Sequence, residues 1–229
     1  MISIIIPVYN EAKIIKSQLL LLQQKLSKHN YVREIIVVDG GSTDQTFQIA
    51  STLDFIKLIK AKKGRAKQMN TAAKIANEKV LYFLHIDSTP PKDFDYYIAH
   101  QIQQKKYAGC FCMKFDSAHP WLMLMSWFTK LNHKACRGGD QSLFITKKLF
   151  NEVGRYNETY QIYEDNILIG KLYNKKQFTV IQKWITASPR LYRKLGVWKL
   201  QWIYLMIYFK KWRGAKPDEI YSYFQSKLK

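Results

Sequence analysis

Four short runs of almost unbroken apolar residues, separated by stretches of helical period, constrain this chain more than any other feature. The runs are Ile2 to Val8, Glu34 to Asp39, Phe55 to Ile59 and Val80 to Ile86. They are β-branched or aromatic and continuous rather than alternating, as in strands buried on both faces of a parallel sheet. Between them Ala12, Ile15, Leu19, Leu22 and Leu26 step by three and four, and Ala66, Met69, Ala73 and Ala76 nearly repeat the step. The first half therefore reads β-α-β-α-β-α-β, a Rossmann-like α/β unit with a mostly parallel central sheet flanked by helices. Farther on, Tyr107 to Phe115 reads as a strand and Trp121 to Leu131 as an apolar, tryptophan-bearing segment. No Gly, Ser or Pro linker divides the chain and no internal repeat shows. With 229 residues, 47% of them hydrophobic, it can bury one sizeable core. The expected division is one domain over 1–195 and a helical extension over 196–229.

Parallel sheets bind ligands outside the carboxyl ends of their strands, and polar residues gather there. Pro7, Val8, Tyr9, Asn10 and Glu11 follow the first strand, Asp39 and a Gly-Gly-Ser-Thr turn the second, and His85, Ile86, Asp87, Ser88 and Thr89 the fourth. Ser42 or Thr43 would cap a helix and the glycines would supply tight-turn geometry, leaving Asp39 projecting at the sheet rim. In an extended strand His85 and Asp87 share a face, an arrangement suited to a divalent cation. A hard ion commonly takes only one or two protein carboxylates when phosphate oxygens fill its other positions, and an imidazole ligand favours Mn²⁺ over Mg²⁺. Lys62, Lys63, Arg65 and Lys67 surround Gly64 at the start of the third helix, where cations oppose the macrodipole unless an anion is also present. The spacing is neither that of a P-loop nor that of the G-x-G-x-x-G fingerprint. Tyr163-Glu164-Asp165-Asn166 opens another helical pattern. Its acids either complement the dipole or supply a general base, and the periodicity leaves both readings open. Gly138-Gly139-Asp140-Gln141 reads on its own as a turn.

The charge balance is 37 Lys and Arg against 17 Asp and Glu, a formal +20. It favours phosphate-bearing partners without choosing among nucleotide, anionic lipid and nucleic acid. Three cysteines, Cys110, Cys112 and Cys136, give no disulfide framework, and no export signal shows, so the expected location is cytoplasmic. Near the C-terminus, Gly196 to Trp212 is dominated by large apolar residues, flanked by Lys199, Lys210, Lys211 and Arg213. Its continuous apolar run from Trp202 to Phe209 is far short of the roughly 20 residues that span a bilayer. An interfacial helix and a helix packed on the core both fit.

Together these stretches resemble family 2 glycosyltransferases, inverting enzymes with the GT-A nucleotide-diphospho-sugar transferase fold. The resemblance rests on P-V-Y-N-E-A at 7 to 12, V-V-D-G-G-S-T-D at 37 to 44, G-R-A-K-Q-M-N at 64 to 70, H-I-D-S-T at 85 to 89, G-G-D-Q at 138 to 141 and Y-E-D at 163 to 165. Six motifs in the family's order cover roughly the first 170 residues, and three of them look like a bacterial "transferase 2" subgroup. The resemblance implies that Pro7, Tyr9 and Glu11 line a nucleotide pocket, that Asp39 accepts a hydrogen bond from uracil, and that Arg65 and Gln68 stand near the nucleotide. It makes Asp87 the holder of Mn²⁺ or Mg²⁺, with His85 where the family's D-x-D has its first carboxylate. It makes Asp165 the catalytic base, with Glu164 beside it, and turns Gly139, Asp140 and Gln141 toward sugar or acceptor.

The implied activity is hexosyl transfer from a UDP-sugar to an acceptor hydroxyl. Expelling a diphosphate demands charge stabilisation, and attack from the opposite face demands a single carboxylate base. A nucleotidyltransferase of similar fold competes, but it would carry a glycine-rich, lysine-containing loop directly after the first strand. A non-catalytic basic protein that binds nucleic acid or membrane also competes, although acids at strand ends would repel phosphate, which disfavours nucleic acid. An interfacial C-terminal helix would bring a lipid-linked acceptor to the cytoplasmic membrane face.

Overall fold

The computed structural model describes residues 1–138 and 141–228. Strand β1 (Ile2–Val8) is buried throughout and lies between β2 (Val32–Asp39) and β4 (Val80–Phe83), parallel to both. β3 (Lys57–Lys60) extends the parallel part beyond β2. On the other side β7 (Leu143–Thr146) runs antiparallel to β4, followed by β6 (Ala108–Phe115), β8 (Thr179–Ala187) and the two-residue β5 (Ser88–Thr89). The sheet order is β3-β2-β1-β4-β7-β6-β8-β5.

Period two along the central strands divides the core into two layers. Ile2, Ile4, Ile6 and Val8 turn to one face, where Ile15, Leu19 and Leu22 of α1 (Ile15–Lys25) and Phe94 and Ile98 of α4 (Phe94–Gln103) cover them. The short α2 (Thr46–Ser51) adds Ala50 to that layer. Ile5, Ile36 and Val38 face the other way, onto Ala66, Met69 and Ala73 of α3 (Arg65–Ile75), Leu149 and Phe150 of α6 (Lys147–Glu152), and Leu168 and Leu172 of α7 (Glu164–Asn174). Burial on both faces is why these strands read as unbroken apolar runs.

Two expected strands end elsewhere. Pairing of β3 begins at Lys57 opposite Ile36, while Phe55 and Ile56 pack against the core before the ladder starts. The fourth strand stops at Phe83, because the Ser88 amide bonds back to the His85 carbonyl at 3.1 Å and turns the chain into β5. His85 and Asp87 therefore lie in a turn, and the same-face argument from an extended strand does not hold.

The C-terminal part contains α8 (Arg190–Leu195), α9 (Val197–Trp212) and α10 (Pro217–Leu228). Ile203 and Ile207 of α9 and Ile220 of α10 pack with Tyr160 and Ile167, beside the start of α7. Leu200 packs with Leu122 of α5 (Pro120–Phe128) and with Tyr192. One side of α9 thus belongs to the core.

Candidate active site

The carboxyl ends of β1, β2 and β4 lie side by side at the rim of the sheet, where parallel sheets form their ligand crevice. Val8 stands opposite Asp39 at the ends of β1 and β2, whereas the β1–β4 pairing stops earlier, at Ile5 opposite Phe83. The Ile5 carbonyl accepts from Leu84 of the β4 side, so residue 7, two positions on, turns its backbone the same way. β4 has ended there, and Pro7, which has no N–H to give, costs the sheet no ladder bond.

The loop after β1 is sewn to the turn after β2. The Asn10 amide donates to Ser42 Oγ (2.9 Å), Thr43 N–H to Asn10 Oδ1 (2.8 Å), Glu11 N–H to Thr46 Oγ1 (2.7 Å) and Ala12 N–H to Asp44 Oδ2 (3.1 Å). The Thr46 hydroxyl, with the Thr46 and Ala12 amides, holds the Asp44 carboxyl below its ordinary value of 3.8. Ser42 and Thr43 do not cap a helix as the sequence suggested. Helix α2 starts at Thr46 without a side-chain cap, and both residues instead bond Asn10, satisfying loop groups that would otherwise lack partners.

Asp39 does not project freely. It is buried, and its carboxylate folds back to accept the amides of Gly41 (3.0 Å) and Ser42 (3.1 Å). Gln68 is buried as well, its Nε2 bridging the carbonyls of Val8 (2.9 Å) and Val38 (2.8 Å) at the strand ends. Its amide clamps β1 to β2 from behind the crevice. Gly40 packs on that amide, and an added Cβ would stand 3.0 Å from it.

Arg190 joins the acids across the crevice. Its guanidinium gives Nη1 to Glu11 Oε2 (2.7 Å) and Nη2 to Glu11 Oε1 (2.8 Å), with Asp87 Oδ2 3.4 Å from Nη2. The Glu11 bonds raise the arginine's pKa above its already high ordinary value. Sequence reading passed over Arg190 because it lies among many spread basic residues. The signal was present, since Arg190 stands three residues beyond the end of β8, as Asp39 and Asp87 stand at other strand ends. Two carboxylates that draw one guanidinium between them form a place for positive charge. Among the described residues no group of three His, Cys, Asp or Glu could hold a metal ion. An ion held at Asp87 would have to take most of its ligands from a bound phosphate.

The second acidic cluster opens α7. Glu164 is fully buried and pairs with Arg65 Nε at 2.8 Å; Asp165, next to it, is buried at 8% exposure. Burial raises the pKa of the neighbouring Tyr156, and the charges of Asp165 and Glu164 push it further. Tyr163, just before the pair, sits in the left-handed region at φ 76°, a strain of about 1 kcal/mol or more for a non-glycine residue. The edge of the Tyr208 ring from α9 packs on Tyr163 at 5.2 Å, and Asn166 Nδ2 donates to Tyr208 Oη at 2.9 Å.

The basic cluster at α3 is thus partly answered from within the protein, with Arg65 on Glu164 and Lys63 Nζ 3.9 Å over the Tyr9 ring. Of the G-G-D-Q stretch, Gly139 and Asp140 lie outside the described residues. Gln141 points inward: its Nε2 donates to the Cys136 carbonyl (2.9 Å) and its Oε1 faces Cys110 Sγ (3.6 Å). Its amide supports the turn.

The fold has known counterparts. The S. aureus TarS 1–349 structure in complex with UDP superposes with a TM-score of 0.67 at 22% identity, over 82% of this chain and 60% of that one. The mannosyltransferase PcManGT from Pyrobaculum calidifontis, in complex with GDP-Man and Mn²⁺, superposes with a TM-score of 0.68 at 18% identity, over 99% of this chain and 67% of that one. Both likenesses show the GT-A fold. "Probable glycosyltransferase YdaM" of Bacillus subtilis (strain 168) is 29% identical over 123 residues, which is 50% of this chain and 29% of YdaM. Residues 3–181 match the family model described as "Glycosyl transferase family 2", and the chain belongs to that family.

Proposed function

We propose that the chain is an inverting, metal-assisted hexosyltransferase that moves a sugar from a UDP-sugar to an acceptor hydroxyl. The convergence of Glu11, Asp87 and Arg190 at the strand ends carries this reading, because it gathers both signs of charge where a diphosphate would leave. Pro7, Tyr9 and Glu11 line the nucleotide side, and Asp39, oriented by its own turn amides, offers an acceptor to the base N–H. Gln68 and Arg65 act from behind, one fixing the strand ends and the other fixing α7. Asp87 and His85 would hold Mn²⁺ or Mg²⁺, which neutralises the departing diphosphate. Arg190 exchanges Glu11 for phosphate oxygens, since a guanidinium matches phosphate in the same two-pronged way.

Asp165 takes the proton of the acceptor hydroxyl. Retention by double displacement would need a second, nucleophilic carboxylate, and Glu164, next to Asp165 in the chain, is fully buried and paired with Arg65, which supports inversion. A groove of about 1010 Å³ lined by Lys114, Asp116, Trp127, Trp184 and Arg193 opens beside α8 for the remainder of the acceptor.

Incubation with UDP-glucose, UDP-galactose and UDP-N-acetylglucosamine plus Mn²⁺, read as UDP release, tests the reading. One donor should be turned over slowly to water, and Asp165→Asn should cut that rate by about 10²-fold or more with UDP binding intact. No UDP binding and no release from any donor would reject the proposal.

A further inference from the structure

Helix α9 is apolar on two opposite sides. Leu200, Ile203 and Ile207 are buried in the protein. Trp198 (65% exposed), Trp202 (62%), Leu205, Phe209 and Trp212 (80%) stand out from it. Their spacing of four, three, four and three residues lays them along one stripe, about 21 Å long at 1.5 Å per residue. A core does not require tryptophans that point away from it, and an exposed apolar row of this size marks an interaction surface.

Charge selects the partner. From residue 166 to residue 217 the chain holds twelve Lys and Arg and no Asp or Glu. Arg193, Lys194, Lys199, Arg213 and Lys216 are exposed around the stripe. A second copy of a +20 chain would bring the same sign to the same face, so the surface calls for an anionic occupant. Tryptophan with flanking lysine and arginine on one helix is the composition that settles at the headgroup level of a bilayer. Among the described residues no helix is long and apolar enough to cross a membrane, so α9 lies in the interface plane.

We propose that the outward stripe of α9 docks the protein on an anionic bilayer surface. The same helix braces the second acidic cluster, since Tyr208 contacts both Tyr163 and Asn166 on either side of Glu164 and Asp165. Resting on the transfer reading of Asp165, docking brings the base to the lipid surface and makes the acceptor a membrane-borne hydroxyl compound.

Cosedimentation of the full chain with phosphatidylcholine vesicles, with and without about one third phosphatidylglycerol, tests the proposal. The anionic vesicles should bind at least about tenfold more tightly, and added salt should weaken that binding. Trp202→Ser with Leu205→Ser should lower binding by about tenfold or more without moving the urea midpoint, because both side chains are exposed. Lys199→Gln with Arg213→Gln should reduce the preference for phosphatidylglycerol. Four results would overturn the proposal: no binding to either vesicle, equal binding to both, unchanged binding of the Ser variant, or a dimer that the Ser variant disperses. Displacement from anionic vesicles by a single-stranded oligonucleotide, lost in the Ser variant, would assign the stripe to nucleic acid instead. UDP-dependent melting, read on the same samples, separates failure of docking from failure of the transfer reading.

Discussion

Replacing Arg65 by Met keeps most of the side chain's bulk and removes its charge from beside Glu164, whose carboxylate has 0% exposure. The variant leaves the carboxylate in the interior without its cation, which costs about 3–5 kcal/mol when one member of a buried pair is lost. Because Arg65 is itself 37% exposed, water weakens the original pair, and α7's dipole supports a carboxylate in its first turn by about 0.5 kcal/mol. The expected loss is therefore about 2–3 kcal/mol, which urea unfolding reads as a midpoint shift of about 1 M. Glu164→Gln should cost less than half as much, because the cation it leaves can reach water. A larger loss in the Gln variant than in the Met variant would show that packing rather than charge holds these residues.

Two further outcomes follow from the crevice. Arg190→Ala should leave stability within about 1 kcal/mol of the parent, since the pair it forms with Glu11 is exposed, while UDP release from the donor should fall about 10²- to 10³-fold; urea unfolding and the release assay are read side by side. Asp44 has a lowered pKa in the folded chain, so its hold on Ala12 and Thr46 is fully present above its ordinary value and is lost as pH falls through the folded one. Protection of the Ala12 amide, taken relative to its intrinsic exchange rate, should therefore fall only as pH drops below 3.8, and Asp44→Asn should remove that pH dependence.

The inner parallel strands were legible because burial on both faces leaves an unbroken apolar run, and β1 was placed to the residue. The chain's departures lie where tertiary bonds override local pattern. The ladder partner of β4 gives out at Phe83, so Leu84 and Ile86, though apolar, leave the strand. Ser42 and Thr43 have the chemistry of helix caps, yet the loop 32 residues away claims them. Asp39, Asp87 and Glu11 were visible in the sequence as acids close behind strands, but the way their side chains turn was not. Gln68 and Gln141, expected near nucleotide and acceptor, bond backbone carbonyls, as buried amides with nearby unpaired groups do. Arg190 escaped because it meets Glu11 across 179 residues, a pairing that no local period records. The outward face of α9 was visible as a tryptophan-rich run, but only packing shows that Leu200, Ile203 and Ile207 take the inner side.

On the proposed function, the crevice beside Asp39 and Asp87 takes a uridine diphosphate with a divalent cation. Thermal unfolding with UDP, ADP and GDP, each with and without Mn²⁺, tests it most directly. At one hundred times its Kd a ligand adds about 2.7 kcal/mol, which for a chain of this size raises Tm by about 5–10 °C. UDP with Mn²⁺ should give that rise, ADP and GDP much less, and Asp87→Ala should remove the Mn²⁺-dependent part. Equal shifts with all three nucleotides, or a UDP and Mn²⁺ shift that survives in Asp87→Ala, would contradict the account.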